Sequence, residues 1–468
     1  MNMLNKNVVI NLLLIVFLPS IFITNQPVNA DGIAIFSIAK DIIQGYSIST
    51  WHIPVPPIFF PDITFLLIFS SILNDVRLIH ILAAIFFYTL FLFSLYLFVK
   101  DGDEKNIFFR VNIISILMIF LTTFFLKEKN LLYYLIQPIF IPGQHGSAAI
   151  LSFIFYYFFY KKNTKEANNR FLIVYPFSLI TFFTDIFFVI YLGILLFSSL
   201  IIYRSKNFFL DFIFILVIAF LVTYQNILFS DNITSHINTS LSNIFSFNFE
   251  TKYLLAIFFI NLFSTIIFFQ ANLNQLKVYK VFLLTQIILS ILFICSATLN
   301  NIYIFRYLVL FFLINIIFIY ELQKKYKIFD SLLSKSYLFF LFLIFSFLIN
   351  FYPNNKNYDY QKELNCIDSY KIKESNLIAE YWSAKIIFEE NQRKNNLLQI
   401  DSSLNRYYWL INSSWEYIYP QNLFSYLITR NLNSSLIDHK LSQLDFKERM
   451  CDGIIIKIKS EELNKLIN

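Results

Sequence analysis

The chain has 468 residues, of which 57% are hydrophobic and 14% charged, with 59 Phe and only 7 Gly. A soluble domain carries roughly 25% charged residues, so this composition excludes an ordinary water-soluble globule and points to a chain largely dissolved in lipid. The net charge of +7 lies mainly in short loops between apolar runs, where basic residues act as topological signals, and no nucleic-acid partner is expected.

In chain order, apolar runs near the length that a spanning helix needs, about 17 to 25 residues, recur from Val8 to Tyr352. They lack the alternation of a membrane barrel, so helices are expected. The first run, 8–24, follows Lys6, and together with Val28-Asn29-Ala30 it also resembles a signal peptide with a small-residue cleavage site. Either reading leaves Asp31 on the non-cytoplasmic side. The loop 25–62 then carries Asp31, Asp41, Trp51, His52, a Pro54-Val55-Pro56-Pro57 turn and Asp62. Asp31 is placed to cap a following helix over 32–44, and a carboxylate at a membrane surface can also act as a general base. The apolar stretch Ile63 to Leu73 is short for a crossing and reads as a juxtamembrane or re-entrant helix.

Further crossings are expected over 77–99, 107–126, 144–160, 171–184, 186–203, 208–229, 253–270, 281–299, 304–322 and 336–352. This gives eleven in all, with the C-terminal segment outside. One set of loops holds sixteen Lys and Arg and the alternate set four, which fixes the orientation by the positive-inside rule. Two polar positions fall at outer helix ends and are candidates for ligand binding. His145 follows Pro142-Gly143-Gln144, and Asp185 sits at a hairpin between two short spans. For His145 a capping or interfacial role competes.

The last 116 residues change character, with fifteen basic and fifteen acidic side chains. Strands are expected over 397–400, 407–411 and 454–458, with a helix over 375–388 capped by Ser375, which together describe a small α/β domain. Cys366 and Cys451 lie near its two ends and could form a disulfide in an oxidising compartment, or remain two buried thiols. Cys295 lies in an apolar run. No Cys or His pair has metal-ligand spacing, so no metal site is expected. The triplets at Asn232, Asn238 and Asn412 fit a glycan-acceptor pattern but read as accidents of an Asn-rich chain. The expected fold is an all-α polytopic membrane protein over 1–352 with a C-terminal α/β extracytoplasmic domain over 353–468.

Several of these features occur together in a known order. A first helix, an outer loop opening with Asp31, the Pro56-Pro57-Ile58 turn, a short apolar helix and Arg77 opening the next span resemble the GT-C superfamily of membrane glycosyltransferases. The likeness is to the protein mannosyltransferase and aminoarabinose transferase group. Phe305-Arg306-Tyr307-Leu308 is similar to a late Arg-Tyr-Leu segment of that superfamily. Gly32 stands where the family has a second acid, and Asp41 or Asp62 could supply that charge.

The resemblance implies a bacterial inner-membrane enzyme with its C-terminal domain in the periplasm. It would move a sugar from a polyprenyl-phosphate donor to a glycan, lipid or protein acceptor. Asp31 would be the catalytic base and Arg306 a bidentate ligand of the donor phosphate. Asp185, His145, Asp41, Asp62, Trp51 and His52 would be placed to bind substrate. No organic cofactor is implied, and a divalent metal is left open. A transporter or flippase, a polysaccharide polymerase or ligase, and a non-catalytic scaffold are the competing readings.

Overall fold

The computed structural model describes residues 3–24, 30–52, 59–73, 75–99, 107–126, 137–143, 145–164, 186–229, 251–295, 308–326, 360–407, 411–420 and 423–467. It is mostly helical, with a small sheet in the C-terminal region. The chain divides into two compact units. The helical unit takes residues 1–22, 55–61 and 82–353, and the mixed unit takes 23–54, 62–81 and 354–468. The segment 25–62, apart from 55–61, and the residues around Arg77 therefore group with the C-terminal segment, where the sequence suggested one break at 352.

The helices in the first part of the chain are α1 (Met3–Thr24), α2 (Ala30–Ile43), α3 (Thr64–Ser70), α4 (Val76–Val99) and α5 (Ile107–Leu126). They are followed by α6 (Gly146–Thr164), α7 (Ile186–Tyr203), α8 (Lys206–Phe229), α9 (Thr251–Gln270), α10 (Lys277–Cys295) and α11 (Val309–Tyr326). Among the described residues α4 is the one helix long and apolar enough to cross a membrane, with a mean hydropathy of 2.3. Shorter apolar stretches run over Val8–Ile23, Phe60–Ser70, Ile107–Met118, Phe187–Tyr203 and Phe258–Gln270.

Within the helical unit the polarity runs inward. Tyr88 donates to Asn112 Oδ1 at 2.6 Å, and Asn112 Nδ2 donates to Asn11 Oδ1 at 2.6 Å, which ties α4, α5 and α1 together. Gln286 Nε2 donates to Ser264 Oγ at 2.7 Å, and that hydroxyl donates to Asn315 Oδ1 at 2.5 Å, joining α10, α9 and α11. Meanwhile Leu12, Phe209, Phe220, Phe258 and Phe269 stand exposed on helix surfaces. Helix α7 packs against α6, α8 and α10. At the start of α6 a β-carbon on residue 146 would fall 1.6 Å from the Pro138 carbonyl oxygen, so only glycine fits there.

In the mixed unit, strands β1 (Trp51–His52) and β4 (Ile411–Asn412) form an antiparallel pair. The main sheet holds β2 (Asn376–Glu380), β3 (Asn396–Ile400), β5 (Phe424–Ile428), β6 (Lys447–Met450) and β7 (Ile455–Lys459) in the order β3-β2-β5-β7-β6. β2 is parallel to both β3 and β5, while β7 is antiparallel to β5 and β6. Helices α12 (Gln361–Ser369), α13 (Tyr381–Glu390), α14 (Ser434–Ser442) and α15 (Leu463–Leu466) complete it. The core gathers Ile378, Leu398, Leu427, Ile437, Leu441 and Ile456, each contributing about 1.5 to 3 kcal/mol relative to exposure. On the outer strand β6, Lys447, Glu448 and Arg449 are exposed, which discourages pairing with another chain.

Three local expectations are corrected. The helix expected over 375–388 is a strand followed by a helix, because Asn376 to Glu380 are all buried between β3 and β5 and Glu380, not Ser375, caps α13. The strand expected over 407–411 is only Ile411–Asn412 among the described residues. Helix α2 starts at Ala30, so Asp31 sits inside its first turn rather than at its cap.

Candidate functional site

Helix α2 is the element that carries both Asp31 and Asp41. Gly32 through Ala39 are buried without interruption, which fits a helix apolar on every side, as Ile33, Ile35, Phe36 and Ile38 make it. Near its C-terminal end Lys40 and Asp41 bring charge into the mixed unit, and both find partners in residues some 350 positions later.

Asp41 is the hub. Its Oδ2 accepts from Trp51 Nε1 at 2.9 Å, Asn412 Nδ2 at 2.6 Å and Trp415 Nε1 at 3.2 Å. Its Oδ1 accepts from Arg393 Nη1. The Arg393 guanidinium also donates through Nε and Nη2 to Glu389 Oε1 at 3.0 and 2.5 Å. It reaches Gln44 Oε1 at 3.2 Å and the Ser37 carbonyl at 3.3 Å. Glu389 is closed off by Ser37 Oγ, which donates to Oε1 at 2.5 Å, and by Lys40 Nζ at 3.1 Å from Oε2.

Two carboxylates thus face two cations in a buried site, and the charges balance. Burial alone would push the Glu389 carboxyl up, but the Arg393 guanidinium, Lys40 and Ser37 outweigh it and hold the group below its ordinary value. Burial likewise opposes the Arg393 cation, while Glu389 and Asp41 raise it. Aromatic rings seal the cluster. Trp51 and Trp415 meet edge to face at 5.0 Å, Phe388 lies 4.6 Å from Trp415, and the Arg393 guanidinium carbon lies 5.2 Å from the Trp415 ring centre. Arg393 and the preceding Gln392 both take the left-handed backbone region, with φ of 57°. This turn ends α13 and swings the guanidinium back toward α2.

The expected site residues are distributed as follows. Asp41 and Trp51 are bonded to each other, and their polar atoms are spent within the unit, so both act as structural ties. His52 is exposed on β1 opposite Ile411. Asp62 is buried in the helical turn that leads into α3. His145 belongs to the helical unit, has φ of 64°, and sets its ring edge-on to Phe187 at 4.7 Å. For Asp31 only the backbone position is described. Asp185 and Arg306 lie outside the described residues. Cys366 and Cys451 are joined by a disulfide, with Cα atoms 6.1 Å apart.

Arg393, Asn412 and Trp415 were not visible in the sequence as partners of Asp41, nor Glu389 as a partner of Lys40 and Ser37. Asn412 carried a signal of another kind, a glycan-acceptor triplet, yet its side chain is buried and its Oδ1 accepts from the Ser414 amide at 2.9 Å. Among the described residues no three His, Cys, Asp or Glu side chains gather to hold a metal ion. Compared with known proteins, the chain matches no family model, no curated protein and no solved structure.

Proposed function

We propose that the protein is a polytopic membrane glycosyltransferase of GT-C type, with eleven crossings. It takes a sugar from a polyprenyl-phosphate donor and passes it to an acceptor on the non-cytoplasmic face. The observation that carries the membrane part is the inverted polarity of the helical unit. Amides and hydroxyls bond between helices in its interior while Phe and Leu cover helix surfaces. Such a pattern suits lipid as solvent, where apolar surface costs nothing outside and interhelical hydrogen bonds hold the bundle. The charge bias of the loops supports the orientation.

The choice of reaction rests on the resemblance of Asp31, Pro56-Pro57-Ile58, Arg77 and Arg306 to the superfamily's segments. Asp31 takes the proton from the acceptor hydroxyl as the sugar leaves its phosphate, and Arg306 binds that phosphate through two parallel hydrogen bonds.

The test is transfer of a labelled sugar from a short-chain polyprenyl-phosphate donor in membranes that contain the protein. Asp31→Asn preserves size and removes the basic oxygen, so turnover should fall by roughly a hundredfold or more with donor binding retained. Arg306→Ala should weaken donor binding instead. Full transfer by Asp31→Asn would overturn the assignment, and donor movement across the bilayer without transfer would turn the reading to a flippase.

A further inference from the structure

The main sheet has a feature that the buried cluster does not use. From β2 the chain leaves through α13 toward β3 on one side, whereas from β5 it leaves through α14 toward β6 on the other. The carboxyl ends of the adjacent parallel strands β2 and β5 therefore flank a topological switch point, where open α/β sheets form a crevice for ligands. Glu380 ends β2 there, and Asn431 follows β5 with φ of 63°.

The two loops meet, because Asn431 Nδ2 donates to Glu380 Oε2 at 3.3 Å and the Trp382 amide donates to the same oxygen at 2.9 Å. Glu380 is only 6% exposed, and among the described residues its second oxygen, Oε1, accepts no hydrogen bond. Beside it the Tyr381 ring lies between Trp382, 4.9 Å away, and Tyr407, 5.5 Å away. Trp382 and Tyr407 are 39% and 37% exposed.

These features select the chemistry of a ligand. A helix N-terminus after a strand usually receives an anion, but here the Glu380 carboxylate already occupies the amide position of α13, so phosphates and carboxylates are rejected. A cation is disfavoured as well, since Lys385 Nζ already stands 3.8 Å from the Tyr381 ring centre. What remains is a neutral molecule that offers a hydroxyl to Oε1 and an apolar ring face to an aromatic surface.

We infer that the carboxyl ends of β2 and β5 form a saccharide-binding site, in which a sugar hydroxyl donates to Glu380 Oε1 and the sugar ring lies on Trp382. The inference stands on this sheet alone, and its test reads binding rather than turnover.

The full-length protein in nanodiscs is titrated with chitotetraose and with mannotetraose by calorimetry. Saturable binding of at least one is expected. Trp382→Ala should weaken it about tenfold, as should Glu380→Gln, which exchanges a charged acceptor for a neutral one. Tyr417→Ala, an exposed aromatic after β4, should leave it unchanged, and inorganic phosphate should not compete. A cooperative urea transition in the emission of the remaining tryptophans reports that each variant is folded. If Trp382→Ala does not fold, Tyr407→Ala makes the same test from the other side of Tyr381. Absence of saturable binding up to about 10 mM, survival of binding in the folded variants, or displacement by phosphate would each overturn the inference.

Discussion

Arg393→Met is the sharpest test of the buried cluster. The substitution keeps an unbranched side chain of similar length and removes every hydrogen bond that the guanidinium makes to Asp41, Glu389, Gln44 and the Ser37 carbonyl. Glu389 then keeps Lys40, which is itself partly exposed, and Asp41 keeps only the neutral donors Trp51, Asn412 and Trp415 among the described residues. Removing one member of a buried ion pair typically costs about 3 to 5 kcal/mol, because the remaining charge is left without compensation. With a urea slope of about 2 kcal/mol per M for a unit of this size, the unfolding midpoint should drop by about 2 M.

The assay is built into the chain. All four tryptophans, at 51, 382, 409 and 415, fall in the segments of the mixed unit, so intrinsic emission follows that unit and not the helical one. Adding Asp41→Asn to Arg393→Met removes the stranded charge and should recover about 1 kcal/mol or more. As a reference, Arg449→Ala breaks an ion pair with Asp438 whose side chains are 59% and 60% exposed, and it should shift the midpoint very little. A shift under about 0.5 M for Arg393→Met, or equal shifts for Arg393→Met and Arg449→Ala, would refute the reasoning.

Acid titration should reveal the same cluster. Glu389 sits below its ordinary value in the folded state, so its contribution is present at and above the ordinary carboxyl range and disappears as pH falls through the folded value. Glu389→Gln should flatten the acid limb of stability against pH, and an unchanged limb would count against the assignment. Glu380 and Glu416 are pushed up by burial and act with the opposite sign, losing stability as pH rises. Reduction of the Cys366–Cys451 bond, whose partners are 85 positions apart, should destabilise the mixed unit by about 4.5 kcal/mol in the chain-entropy model. Tryptophan-monitored unfolding with and without reductant measures this, and coincident curves would exclude it. Reporters fused after residue 330 should report cytoplasm and those after residue 360 the opposite side. Identical readings would break the eleven-crossing topology.

What could be read in advance follows from the range of the interactions. The helices α4, α5 and α7 to α11 coincide with long apolar runs because an apolar run and a helix are both local properties of the chain. The strands β3 and β7 showed as short β-branched and leucine-rich stretches for the same reason. β2 was hidden, since Asn376-Leu377-Ile378-Ala379-Glu380 has a composition a helix would accept, and only pairing with β3 and β5 decides it. The polar cluster was hidden more deeply. Asp41 looked like a ligand-binding acid because it lies in the acid-bearing segment 25–62, where it could supply the charge that Gly32 lacks. Its partners are Arg393, Asn412 and Trp415, which no local periodicity connects to α2.

That separation also sets a clock. Asp41 and Arg393 are 352 positions apart, and at about 5 to 20 residues per second a ribosome needs roughly 18 to 70 s to make the stretch between them. For that interval α2 has emerged with a carboxylate whose guanidinium partner does not yet exist. A nascent chain that stalls before residue 393 leaves Asp41 without that cation and Trp51 without the Trp415 ring. The cluster can therefore close only after residues 393, 412 and 415 have all been made.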